Sequence, residues 1–365
     1  MFEDSIPGSG QSAGESLNGN SRAVWRGLGY AVLFLIWLAA SAVLIRAAAR
    51  HTLGPFTVDG LSEKLVALEA IQSDINIVLI GSSRSARQID PALLASEGAA
   101  LGCDLRAFNM GISGFSTNEM DYILRWMTAR GVQIPWVVME SKGTDWLGPI
   151  SSDRLYEHLR PFNYRLLDVA NEGFSQPPGS WQIHLSLLGS ALNLGLAHRY
   201  LDRAPVQADW LELGRSGYRP LAWMFNTLET LPGRQANLQD LLAENPDYIT
   251  EKFQPDAPYE GPMYEIAPIL SRSAHRAGAQ RVTFISPPGS EQLIFFTGYH
   301  AFTVPGLEYP PYHIGLNLQA TPQLADSDYW FDIGHLTQVG ADIYTRYLAA
   351  ELCGLQQSEQ TAAAP

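Results

Sequence analysis

The stretch INIVLIGSSR, residues 75–84, decides the fold. INIVLI (75–80) is short, rich in β-branched residues and bounded by Asp74 and Gly81, as expected of a strand buried on both faces of a parallel sheet. Working outward, Asp90-Pro91 offers an N-cap followed by proline at the first helical position, which predicts a short helix through PALLASEG. LRAFNM (105–110) reads as a second strand. Ser116-Thr117-Asn118-Glu119 is a capping box, and behind it Tyr122, Ile123, Trp126 and Met127 share a helical face that Gly131 closes. WVVME (136–140) is a third strand. Strands alternating with helices at this spacing predict right-handed crossovers and a doubly wound, mainly parallel α/β sheet.

The pattern breaks between 146 and 258 into Pro/Gly-interrupted helical stretches such as HLSLLGSALNLGLAHRYL (184–201), read as a helical insertion or cap. It resumes with a helix near 261–277, the strand RVTFIS (281–286) and a turn at Pro287-Pro288-Gly289. Residues 290–330 are irregular and aromatic. The last helix starts after His335 with Thr337 as N-cap and Val339, Ile343, Tyr347 and Leu348 on one face. Residues 354–365 read as a frayed tail, and the α/β domain spans 74–353.

Ahead of this domain, 27–45 (GLGYAVLFLIWLAASAVLI) is a run without a charge, long enough as a helix to cross roughly 30 Å of hydrocarbon. Small residues at 39–42 and 47–49 suit signal-peptide cleavage, but the apolar run exceeds a signal core and a long polar stretch precedes it, which favours an uncleaved transmembrane anchor. Residues 1–26 read as a disordered tail and 46–73 as a linker helix. Arg22 and Arg26 flank one end of the span and Arg46 and Arg50 the other, so charge alone leaves its orientation open.

Composition narrows the function. The chain has 365 residues, 46% of them hydrophobic, ample for a large core, and its net charge of −13 gives no support for nucleic-acid binding. Cys103 and Cys353 lack zinc-ligand spacing; they pair if the domain is extracytoplasmic, or remain two small apolar residues. No GxGxxG or GxxxxGK[ST] follows the first strand, so no cofactor is expected.

Three segments fall at predicted strand ends, where open α/β sheets bind ligands. Gly81-Ser82-Ser83-Arg84 comes after strand one; a serine there is either a turn residue or a group aimed into a cleft. Asn109-Met110-Gly111-Ile112-Ser113-Gly114-Phe115 comes after strand two, and its glycines serve either a plain loop or the close approach of backbone N–H groups to a ligand. Asp332-Ile333-Gly334-His335 precedes the last helix. Its spacing lets a carboxylate orient an imidazole whose other nitrogen takes a proton from serine, or each residue caps locally.

In VLIGSSRSARQIDP (78–91), FNMGISGFS (108–116) and WFDIGHLTQVGADIYT (330–345) the chain resembles the SGNH/GDSL hydrolase superfamily. Within it the chain looks like the membrane-anchored branch that includes alginate O-acetylation and teichoic-acid D-alanylation proteins. The resemblance covers the sheet framework but not 146–258, and implies an SGNH/flavodoxin-like fold. It makes Ser83 the nucleophile, Asp332 and His335 its partners, and the backbone N–H groups of Ser83 and Gly114 oxyanion donors. Ser82 stands in place of the aspartate of the G-D-S block, and Thr144 in place of the asparagine of the G-x-N-D block, where it is either an oxyanion donor through its hydroxyl or an ordinary loop residue.

The resemblance implies a serine esterase or O-acyltransferase acting on acyl, above all acetyl, esters of cell-envelope or exopolysaccharide sugars. It would sit in a bacterial inner membrane with its globular part outside, beside a multispan membrane acyltransferase as donor. The departures at Ser82 and Thr144 leave open a catalytically degenerate scaffold in a polysaccharide modification or secretion complex. Arg84 and Arg87, beside the nucleophile, suit an anionic sugar or are plain surface arginines. Trp146, Tyr299, Tyr329 and Trp330 suit stacking on sugar rings or local core. His158, His184, His198, His275, His300 and His313 show no metal-ligand spacing, so packing or surface roles are expected.

Overall fold

The computed structural model describes residues 16–53, 61–113, 115, 117–141, 216–221, 231–247, 249, 263–289, 299–301, 310–317 and 319–363. The chain divides into two units, Met1–Phe56 with Ser151–Arg203 and Thr57–Ile150 with Ala204–Pro365. In the first, the described element is helix α1 (Ser16–Leu53). Its segment Val24–Ser41 is long and apolar enough to cross a membrane and is not buried within the protein. The helix begins inside the stretch expected to be a disordered tail and runs past the apolar span, since extending a nucleated helix adds one hydrogen bond per residue fixed.

The second unit holds α2 (Leu61–Ile71), β1 (Ile77–Ile80), α3 (Ser83–Gln88), α4 (Pro91–Ala100), β2 (Ala107–Asn109), α5 (Thr117–Arg130), β3 (Trp136–Glu140), α6 (Leu231–Glu244), α7 (Met263–Arg276), β4 (Arg281–Ile285), β5 (Tyr299–Ala301), β6 (Tyr312–Ile314), β7 (Trp330–Asp332), β8 (His335–Leu336) and α8 (Gln338–Ala363). The main sheet has the order β2-β1-β3-β4-β6-β5. Its first five strands are parallel, and β5 closes the edge antiparallel to β6. This is the doubly wound α/β architecture expected. The chain steps from β1 outward to β2 and then back across to β3. Right-handed crossovers in opposite directions place their helices on opposite faces and open a crevice beyond the carboxyl ends of β1 and β3.

On one face Ile77 and Leu79 of β1 and Trp136 and Val138 of β3 join Leu94 of α4 and Tyr344, Leu348 and Leu352 of α8 in one buried cluster. Alternate strand residues, Val78, Val137 and Met139, are equally buried and point the other way. Asp90 caps α4 by accepting from the N–H groups of Ala92 and Leu93, and Gly131 ends α5 at φ +69°.

Four expectations need correction. Helix α2 is a packed element rather than a free linker, because Leu61, Lys64, Leu65 and Leu68 form a buried stripe at helical spacing. The turn after Gly81 is itself a helix, α3. The irregular 290–330 stretch contains β5 and β6, and α8 continues to Ala363 through the segment read as a tail. Trp146 and the greater part of the expected 146–258 insertion lie outside the described residues.

A disulfide between Cys103 and Cys353, with Cα atoms 5.7 Å apart, ties the loop before β2 to α8 across 250 residues of sequence. Both half-cystines are buried. Closing so long a loop restricts the unfolded chain, so replacing both cysteines by serine is expected to cost about 2–5 kcal/mol. Thermal unfolding of detergent-solubilised protein should show a lower Tm in the variant, and in the wild type under reductant; an unchanged Tm in both contradicts this.

Candidate active site

Three elements meet at the carboxyl ends of β1 and β3. The first is the start of α3. Ser82 is its N-cap, with its side-chain oxygen accepting from the N–H of Arg84, so Ser83 occupies the first helical position with its hydroxyl half-exposed. A first-turn N–H has no carbonyl one turn earlier to bond. Among the described residues the Ser83 N–H has no protein acceptor, whereas the N–H of Ser82 donates to Glu140 and that of Ala86 to the Ser82 carbonyl.

The second element is the loop after β2, which stays alongside β1: Met110 donates to the carbonyl of Leu79 (2.7 Å) and Ile112 to that of Gly81 (2.9 Å). Asn109, fully buried, donates to the carbonyls of Ser85 and Ile89 and accepts from the N–H of Gly111, stapling the loop to α3. Lys64 reaches up from α2 to the carbonyls of Asn109 (2.9 Å) and Gly111 (2.6 Å). Burial, with Arg219 nearby, holds the pKa of this lysine well below the usual lysine value.

The third is a hairpin that the sequence pattern does not announce. β7 and β8 are joined by Ile333-Gly334, and their register sets Asp332 directly opposite His335. Thr337 caps α8 as expected, accepting from the N–H of Gly340, and the side chain of Gln88 in α3 donates to the Gly334 carbonyl. Asp332 and His335 are 4% and 8% exposed.

These elements bring together a continuous chain of hydrogen bonds. The Nδ1 of His335 lies 2.8 Å and 3.1 Å from the two oxygens of Asp332, whose Oδ1 also accepts from the N–H of Gly334 at 2.8 Å. Nδ1 therefore carries the proton, and Nε2 accepts from the hydroxyl of Ser83 at 2.9 Å. Serine, imidazole and carboxylate stand in the order needed for proton removal from a nucleophile. Burial lowers the pKa of His335 below its ordinary value; Asp332 opposes the shift, and Arg87 and Arg84 add to it. The shift favours the neutral ring, the form in which an imidazole acts as a base.

The remaining candidates divide. Arg84 lies against Gly289 and Arg87 donates to Ser113, both close enough to act on His335. Trp330 is no sugar platform: it is buried in the core cluster and its indole N–H donates to the Leu324 carbonyl. Gly114 and Thr144 lie outside the described residues, as do His158, His184 and His198; the side chains of Tyr299 and His300 are not described either. His275 bonds the Ala279 carbonyl, while His313 is buried against Ser141 and Ser286 at the ends of β3 and β4.

Glu140 is a site residue that the sequence reading misses. Its carboxylate, at the end of β3, is 2% exposed and accepts from the N–H and hydroxyl of Ser82 and the hydroxyl of Ser85. A charged residue closing an apolar run is the one available sequence signal. No protein-family model matches this chain, and no curated protein matches it.

The His335 shift has a sign that can be measured. Its folded-state pKa lies below that of the unfolded chain, so its contribution is complete above about pH 6.5 and is lost as pH falls from there through the folded value. An NMR titration of His335 should give a midpoint below about 6.5, moving upward in the double variant Arg84→Gln/Arg87→Gln. A midpoint at or above that value in the wild type contradicts the assignment.

Proposed function

We propose that this chain is a membrane-anchored serine esterase or O-acyltransferase of the SGNH type, acting on acyl, above all acetyl, esters of cell-envelope or exopolysaccharide sugars. The observation that carries the proposal is the unbroken Ser83–His335–Asp332 hydrogen-bond chain at the crevice of a doubly wound sheet. Fold alone would not suffice, because one α/β architecture hosts many chemistries.

In the proposed reaction His335 takes the Ser83 proton as the oxygen attacks the ester carbonyl. Asp332 holds the ring in its Nδ1–H tautomer and stabilises the imidazolium. The oxyanion is received by the N–H of Ser83, with Gly114 as the second donor; the loop that leads to Gly114 is pinned beside β1 through Ile112. His335 returns its proton to the leaving alcohol, and Ser83 is left acylated. Water then releases the acid, or a sugar hydroxyl takes the acyl group, by the same steps in reverse.

The proposed setting is a single-pass protein of the bacterial inner membrane with its globular part extracytoplasmic. Helix α1 supports an anchor, and the Cys103–Cys353 bond supports the orientation, since disulfides persist in oxidising compartments. The partners proposed are a polysaccharide or acyl-sugar substrate and a multispan membrane acyltransferase that supplies the acyl group.

Incubated with an activated acetyl ester, the solubilised protein is expected to turn over, and Ser83→Ala and His335→Ala each to lose kcat by a factor on the order of 10⁴. Turnover that survives either substitution unchanged would sink the proposal. Adding an oligosaccharide acceptor separates the two outcomes, because an acyltransferase moves acetyl onto sugar in preference to water.

A further inference from the structure

The turn that presents Ser83 contains three hydroxyls, Ser82, Ser83 and Ser85, and only one faces the base. The other two converge on Glu140 from the neighbouring strand. Its Oε1 accepts from the Ser82 hydroxyl (2.7 Å), and its Oε2 accepts from the Ser82 N–H (2.7 Å) and the Ser85 hydroxyl (2.8 Å). Gly81 makes room for this: a Cβ there would fall 2.6 Å from Oε2 and collide with the Ser85 side chain. Behind the carboxylate the backbone is fixed, since the Ser141 N–H donates to the Ile285 carbonyl (2.7 Å).

We infer that Glu140 is the positioning residue for the nucleophile: by engaging the residues one before and two after Ser83, it holds the first turn of α3 in the rotation that points the Ser83 hydroxyl at His335. The inference rests on Ser83 being the nucleophile. The geometry has two effects. The hydroxyl protons of Ser82 and Ser85 are committed to the carboxylate, so neither competes for His335. The Ser82 N–H is also committed, whereas the N–H of Ser83 has no protein acceptor among the described residues. Glu140 reaches the nucleophile's turn through hydrogen bonds to Ser82 and Ser85, and the pH dependence below separates this positioning from an effect of its charge on the base.

The test uses the full chain in detergent, with four readouts: kcat and KM on an activated acetyl ester, their pH dependence, the rate at which a fluorophosphonate labels Ser83 with the site mapped by mass spectrometry, and Tm. Labelling of Ser83 in the wild type and none in Ser83→Ala establishes the nucleophile; no labelling in the wild type overturns that reading and this inference with it. Glu140→Ala, where folded, is expected to lose about 10²-fold in kcat and in labelling rate with KM within about twofold and the acid-side pH midpoint unmoved, as for a nucleophile displaced by about 1 Å.

Glu140→Asp keeps the charge but is one methylene short, so it is expected to lose at least about tenfold in kcat at the same KM. It serves where the alanine variant does not fold. Glu140→Gln keeps one acceptor oxygen for the Ser82 N–H and the Ser85 hydroxyl, and the Ser82 hydroxyl can turn to accept from its amide. This variant should recover to within about tenfold of wild type. Three results overturn the inference: wild-type kcat and labelling in the aspartate and folded alanine variants, a loss carried by KM alone, or a glutamine variant as impaired as alanine.

Discussion

Glu140 ends the central strand β3 with its carboxylate out of water, and a buried carboxylate must find donors inside the protein. It finds them across the sheet, in the turn after β1. The parallel pairing of β1 with β3, Ile80 beside Met139, brings that turn level with the glutamate. Gly81 lets the two approach, Ser82 caps the helix that begins there, and Ser83 takes the half-buried first position of that helix. Much of the architecture of the crevice comes from satisfying this one group.

The opposite wall of the crevice is assembled from the far end of the chain. A two-residue turn between β7 and β8 sets Asp332 across from His335, and the core beneath them, Trp330, Leu336 and the inward face of α8, keeps the hairpin in place. Gln88 links α3 to the hairpin through the Gly334 carbonyl, and Thr345 of α8 links back to α3 by donating to the Gln88 carbonyl. The Cys103–Cys353 bond ties the same helix to the loop before β2. A serine and a histidine 252 positions apart therefore meet at 2.9 Å through contacts that are mostly not their own.

The sheet is legible in the sequence because its central strands are continuous apolar runs: WVVME is β3 residue for residue, and RVTFI is β4. The Ser83–His335–Asp332 hydrogen-bond chain is legible because its members fall at strand ends or beside a helix start. Helix α3 is not, since SRSARQ has no apolar periodicity and owes its shape to Glu140, Asn109 and α8 rather than to propensity. β6 escapes notice because three residues are too few to carry a period. Glu140 does so because a carboxylate after an apolar run reads as the point where the strand reaches water. Trp330 misleads for a related reason: a sequence position beside a site does not say which way a ring turns.

The functional proposal joins these physical features to one chemical step, transfer of an acyl group to Ser83. A buried imidazole held by Asp332, a hydroxyl presented to it and a first-turn N–H with no protein acceptor among the described residues are parts that step can use. The most direct measurement is to trap the intermediate itself: mix the protein with an activated acetyl ester, quench in acid within one turnover, and map the acetyl group by peptide mass spectrometry. Acetyl on Ser83, absent from Ser82 and Ser85, is the result this structure leads us to expect. A protein that hydrolyses the ester with no acetyl on Ser83 would contradict it.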